Sequence, residues 1–341
     1  MDQGCRAVAC LGDWSHHDVT STGLEAPHYS LERSNTIPET ISTNSSFKRL
    51  ALALLAFGLP ALRLSADGTS RNFHIPGFYH VGFWVRDIGK SRAFYKDYLG
   101  FDEPYVLNRA NGALQMVVIK VNERQVILLF PDASKILPDG DNLDHLGLET
   151  DNIGALHDYL VARGVKAGKP ARGHIGDMIL SVNDPDGRKF EITQFEPEGQ
   201  LLKHQGLNLP ATRISTHLLT ASIAVSNLEA SLHFYRDILG FKEISRGGDA
   251  GAPHSVRLQV PDGADYLDLR PYEKKPGADP ARAVAQFCLE VPDAVKAAAI
   301  LSGRAKATGF ASPLISDDKT EASCIDPDGT RVVLIEKAPS Q

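Results

Sequence analysis

Four side chains between residues 80 and 191 have the types to do chemistry together: His80 in "YHVGFWV", His145 in "LDHLGLE", His174 in "RGHIGD" and Glu191 in "RKFEITQ". In an extended strand, successive side chains alternate between two faces. Val81, Phe83 and Val85 then form one apolar face, and His80, Gly82 and Trp84 form the other. The same alternation opposes Leu146 and Leu148 to His145 and Gly147, and Phe190 and Ile192 to Glu191. Two imidazoles and one carboxylate sent to one side make the facial set that binds a divalent ion and leaves positions open for substrate or oxygen. Gly82 and Gly147, each two residues from an imidazole, read as room for that ion or its ligand. The blander alternative is three interior residues held by ordinary hydrogen bonds. His174 is the remaining candidate for moving protons beside it, against an exposed loop histidine following "KPARG".

These residues need strands and helices to position them, and the chain supplies a repeat. "SRAFYKDYLGF" at 91 to 101 returns as "SLHFYRDILGF" at 231 to 241, and "DPDG" stands at both 184 to 187 and 326 to 329. Four modules follow, each a strand, a helix ending near glycine, and further strands closing on a turn. They run from about 78 to 131, 143 to 196, 217 to 272 and 285 to 337. A βαβββ module cannot bury both faces of its sheet alone, so the modules are expected to pair. The expected fold is α+β: a first domain over 76–197, a linker over 198–213 without either period, and a second domain over 214–338. In each, curved mixed sheets surround a cleft with helices outside.

The remainder of the 341 residues reads differently. Residues 1–70 are expected to form a disordered extension, since 29 to 46 are polar and rich in Ser and Thr. Within the extension, 48–66 has a basic start, a short apolar run and small residues after it, the form of an export signal. Export to a periplasm or the outside is the expectation it raises, with a cytoplasmic protein as the alternative. A net charge of −6 offers no basic field for phosphates, which argues against nucleic acid as partner. The apolar run is too short for a stable membrane span. Four cysteines show no CxxC or zinc spacing.

The layout, with His80 opening a module and "FYKDYLGF" closing its helix, resembles the vicinal oxygen chelate superfamily of glyoxalases, bleomycin-resistance proteins and extradiol dioxygenases. The resemblance implies a metal held by the first and fourth strands of each paired module. His80, His145 and Glu191 match three of those four places, while Leu128 stands in the fourth. That set is similar to the extradiol enzymes and implies Fe(II), with Mn(II) or Zn(II) as alternatives, acting on a small substrate with vicinal oxygens. The chain departs from those enzymes at Ser181, where a tyrosine is usual, and at Val126, where an acid-base histidine is usual. A non-oxidative lyase, isomerase or thiol transferase, and a bleomycin-resistance type of binding protein, remain open. The second domain offers Thr220, Asp268, Gln286 and Val333 at the equivalent places, a set without imidazole, and is expected to be metal-free. A small-molecule substrate and a homodimer complete the expectation.

Overall fold

The computed structural model describes residues 71–336 apart from 139, 250–251 and 273–284; the extension and its apolar run at 48–66 lie outside the described residues. Among the described residues, no helix is long and apolar enough to cross a membrane. The alternating segments become strands. In chain order they are β1 (Phe78–Val85), β2 (Asp102–Asn108), β3 (Leu114–Lys120), β4 (Val126–Pro131), β5 (Leu143–Glu149), β6 (Ala171–Arg172), β7 (Met178–Asn183) and β8 (Lys189–Gln194). The second half supplies β9 (His217–Val225), β10 (Lys242–Asp249), β11 (Ala252–Gln259), β12 (Tyr266–Pro271), β13 (Gln286–Val291), β14 (Leu314–Ile315), β15 (Glu321–Ile325) and β16 (Arg331–Glu336).

These form two mixed sheets of identical topology, β2-β3-β4-β1-β5-β8-β7-β6 and β10-β11-β12-β9-β13-β16-β15-β14, in an α+β fold. At the middle of the first, β1 runs parallel to β4 and antiparallel to β5, so the opening strands of modules one and two meet there. β9 pairs with β12 and β13 in the same way.

The repeated helix has a repeated irregularity. Asp87 caps a short α-helix, α1 (Ile88–Arg92), by accepting the N–H groups of Gly89 and Lys90. The chain then widens into a π-helical turn, Ala93–Tyr98, which buries Phe94, Tyr95 and Tyr98. Gly100 ends it at φ 81°, a conformation that glycine adopts without strain. In module three Asn227 caps Leu228–Leu232, which widens over His233–Ile238 in the same manner.

Each sheet presents one face to a cleft and the other to a single apolar core that both domains share. Phe83 of β1 meets Phe287 of β13 there, with ring centroids 5.6 Å apart. The helices lie on this face too, and the first helix of each domain, expected on the outside, is instead buried in the shared core through Phe94 and Tyr95 or Phe234 and Tyr235. Tyr95 donates its hydroxyl to Asp326 at 3.0 Å, and Tyr235 donates to Asp184 at 2.8 Å. Asp328 accepts from the Arg86 N–H at 2.8 Å and Asp186 from the Ser226 N–H at 3.0 Å. The helix motif of each domain therefore docks on the "DPDG" turn of the other.

Further contacts fix the segment after β8 on the first domain and join the domains at a second place. The segment after β8, free of either period in the sequence, contains a short helix, α2 (Gln200–Lys203), whose Leu201 is buried against the cleft wall of the first domain. Lys120 on β3, itself fully buried, holds that segment by donating its ammonium to Glu123 at 2.8 Å and to the carbonyls of His204 and Leu207 at 2.6 and 3.0 Å. Elsewhere Asp265 accepts the Phe78 N–H at 2.8 Å, and His217 bridges Asp265 at 2.7 Å and Glu290 at 3.1 Å. Burial alone would lower the His217 imidazole; the hydrogen bonds and charges of Asp265 and then Glu290 outweigh it and leave it raised.

Two outcomes follow. Tyr95→Phe and Tyr235→Phe should each lower the unfolding free energy by about 1–2 kcal/mol in urea titrations, the loss of one buried hydrogen bond; no change in either variant would mean that the apolar core joins the halves unaided. Because the folded state holds the His217 proton more tightly than the unfolded chain, its contribution is complete below about pH 6.5 and fades as pH rises through the raised value. His217→Asn should accordingly flatten the fall in stability between pH 6 and 9, and parallel curves for the two proteins would refute the assignment.

Candidate metal centre

The site forms where β1, β5 and β8 lie side by side. In the antiparallel β1–β5 pair His80 faces Gly147 and Gly82 faces His145; in the parallel β5–β8 pair Gly147 stands beside Glu191. The one-residue alternation of each strand sends all three side chains to the cleft. One ligand atom from each of His80, His145 and Glu191 lies within 4.8 Å of the others. The imidazoles are 1% and 2% exposed and meet edge to face, with centroids 4.7 Å apart.

The two glycines serve a purpose different from the one expected. A Cβ on Gly147 would lie 2.4 Å from His80 Cε1, and one on Gly82 would lie 3.1 Å from His145 Cε1. Each glycine leaves room for the imidazole of the facing strand, so the reading of these positions as space for an ion or ligand is corrected: the imidazoles themselves fill it.

The surroundings orient one imidazole and keep the other neutral. Asp144 accepts a hydrogen bond from His145 Nδ1 at 2.5 Å, which fixes the orientation of the ring. That Nε2 lies 3.9 Å from Glu191 Oε2. Burial pushes the Asp144 carboxyl up, but the hydrogen bond and charge of His145 outweigh it and leave Asp144 below its ordinary value. Burial, followed by the charges of His145 and Lys189, drives the His80 imidazole well below its ordinary range, so it is neutral at physiological pH. Both ring nitrogens of His80 and Nε2 of His145 are buried without a hydrogen-bond partner. Buried polar atoms are nearly always partnered, and three unpartnered nitrogens beside a carboxylate fit a cation. Lys189 Nζ, 3.4 Å from Glu191 Oε2, offsets part of the carboxylate charge meanwhile.

The surroundings separate the remaining sequence candidates. Val126 and Leu128, paired in register with His80 and Gly82, are buried in an apolar cleft wall. Ser181 is exposed and pairs with Glu191 across β7 and β8. His174 is exposed on the turn between β6 and β7, outside the cluster, while its neighbour Ile175 packs on the cleft wall. One residue escapes the alternation argument. The β1–β5 register shifts between Phe78 and His80, and Tyr79 joins the cleft wall instead of the shared core. Period-two reasoning has no means of anticipating that bulge.

In the second domain the equivalent surface is differently engaged. Arg257 grips Asp268 through two hydrogen bonds of 2.8 Å, so this carboxylate already has a cationic partner. Nearby Glu321 is pushed up to about 7, chiefly by burial.

The glycine finding is directly testable. Gly147→Ala must push the His80 ring aside, and should cost about 1–3 kcal/mol of stability while lowering the affinity for Mn(II) or Zn(II) in equilibrium dialysis; unchanged stability and affinity would contradict the close approach.

Comparison with known proteins gives three findings. The family model described as Glyoxalase/Bleomycin resistance protein/Dioxygenase superfamily matches residues 77–192 and 216–334. The protein named putative ring-cleaving dioxygenase MhqA, from Bacillus subtilis, is 26% identical over 216 residues, which take in 59% of this chain and 66% of that protein, just under two thirds of its length. Among solved structures, the Mn(II)-bound glyoxalase from Novosphingobium aromaticivorans superposes with a TM-score of 0.55 at 17% identity, covering 78% of this chain and 89% of its own. The 2,3-dioxygenase LapB from Pseudomonas sp. KL28 superposes with a TM-score of 0.58 at 14% identity, covering 78% and 93%. At such identities the likeness is one of fold.

Proposed function

The chain belongs to the glyoxalase/bleomycin resistance protein/dioxygenase superfamily, and from that premise we propose that it is a metal-dependent enzyme of extradiol-dioxygenase type, with His80, His145 and Glu191 holding Fe(II). The observation that carries the proposal is the convergence of unpartnered, buried imidazole nitrogens with one carboxylate within 4.8 Å. Mn(II) and Zn(II) suit the same donors. When bound, the cation supplies Lewis acidity and a template for two neighbouring oxygens of a catechol-like substrate.

The chain's own residues have separate tasks. Asp144 fixes the orientation of the His145 ring. Leu128 and Val126 keep water from the cleft side of His80. Glu191 provides the one negative charge of the donor set, balanced by Lys189 until a cation replaces it. His174, exposed on its turn, is proposed to carry protons between solvent and the cleft mouth.

A non-oxidative reaction, as in a lyase, isomerase or thiol transferase, is the second reading, favoured by the absence of any imidazole at Val126 and by the fold likeness to a Mn(II)-bound glyoxalase. Anaerobic reconstitution with Fe(II), followed by oxygen-uptake measurements over a panel of catechols, distinguishes them. One Fe(II) per chain and uptake with at least one diol are expected, with Glu191→Gln and His80→Ala lowering both metal content and rate by a hundredfold or more. Tight Mn(II) or Zn(II) binding without uptake would favour the non-oxidative reaction. Purified protein lacking stoichiometric metal, and a His80→Ala variant with unchanged melting, would leave only a binding protein.

A further inference from the structure

Beside the candidate metal centre, the cleft wall contains three more polar atoms without partners: the hydroxyls of Tyr79 and Tyr105 and Oδ2 of Asp177. Tyr79, on the β1 bulge, lies edge-on to His80 with ring centroids 4.6 Å apart and edge-on to Phe195 at 4.8 Å. Tyr105 packs in the same cluster as Tyr79, the two hydroxyls interact without a hydrogen bond of good geometry, and the charge of Asp177 acts on both. The second oxygen of Asp177 accepts the Glu196 N–H at 2.9 Å, which fixes the carboxyl. Around them the wall is apolar, with Met116, Val118, Leu128 and Leu201.

Buried polar atoms left dry weaken a fold, and three of them together in an apolar wall call for a guest that satisfies them. Two phenolic hydroxyls can donate and a carboxylate oxygen can accept. A ligand hydroxyl, donor and acceptor at once, answers both requirements. A ligand carboxylate or phosphate would meet the like charges of Asp177 and Glu191, and a methyl group would leave all three atoms unpartnered.

We propose that Tyr79, Tyr105 and Asp177 form a hydroxyl-binding subsite, selecting a neutral ligand that carries a third hydroxyl next to the vicinal pair directed at His80, His145 and Glu191. The assignment rests on the metal reading given above for the position of the vicinal pair. The tyrosines act as positioning donors and Asp177 as the acceptor.

The test uses the full chain loaded anaerobically with Mn(II), its metal content measured in every variant, and isothermal titration with pyrogallol, 3-methylcatechol and 2,3-dihydroxybenzoate. Pyrogallol should bind at least tenfold more tightly than 3-methylcatechol, and 2,3-dihydroxybenzoate most weakly. Tyr79→Phe and Tyr105→Phe should each bring the ratio of the pyrogallol affinity to the 3-methylcatechol affinity, measured in the same variant, to within twofold of one. Independently of metal, neither substitution should lower the melting temperature of the metal-free protein more than marginally, since the one polar interaction either hydroxyl has is with the other; a fall of several degrees in both would make them structural groups and overturn the subsite. Equal affinity of the unaltered protein for pyrogallol and 3-methylcatechol overturns it also, the three atoms then serving buried water alone. A pyrogallol preference that survives without Mn(II) binding would refute the metal reading and keep the subsite. Stoichiometric Mn(II) without the preference would do the reverse, and failure of every diol to bind would overturn both.

Discussion

The structure depends on an exchange of hydrogen bonds between its halves. Tyr95 reaches Asp326 and Tyr235 reaches Asp184, each carboxylate lying in a turn that belongs to the other domain. Those carboxylates are buried; Asp326 is pushed up to about 6, mostly by burial, and would be costly without its donors. The shared apolar core surrounds the exchange, so the faces of the two sheets that carry the helices are turned toward each other. The remaining face of each sheet is left for a cleft. A candidate metal site in one domain and a different set of side chains in the other are thus compatible with a single assembly, because neither cleft takes part in joining the halves.

Within the first domain the decisive arrangement is reciprocal. An imidazole on β1 occupies the space above a glycine on β5, and an imidazole on β5 occupies the space above a glycine on β1. Each half of the pair contributes both a donor and the room for its counterpart's donor. In the second domain the strand positions facing each other are Thr220 with Cys288 and Ser222 with Gln286, and the acid at Asp268 is bound by Arg257. Among the described residues there, the same backbone carries no cluster of metal-ligating side chains.

Much of this was legible in the chain. The duplicated helix motif, the paired "DPDG" turns and the strand alternation are local patterns, and local patterns are what periodicity detects. The cleft-side position of His80, His145 and Glu191 belongs to that class. What escaped is non-local or breaks the period. Gly82 and Gly147 looked like room for a ligand because the facing strand is not visible in a linear reading. Tyr79 was hidden by a one-residue bulge that reverses its face. Asp144 has no motif of its own and acquires its role only from contact with His145 Nδ1. His174 was singled out by type, and its exposure on a turn follows from the loop that carries it. The segment over 198–213 has the composition of a spacer, yet Leu201 is buried in the cleft wall.

That last contact bears on how such proteins diversify. With Lys120 wholly buried and bonded to the carbonyls of His204 and Leu207, the stretch joining the two domains is structurally part of the first. A recombination event that exchanged the second domain at the end of β8 would discard a wall of the neighbouring cavity together with the acceptors of a buried ammonium. Viable crossovers are therefore expected after this stretch, close to where β9 begins, and lineages that trade partner domains should inherit it with the front half.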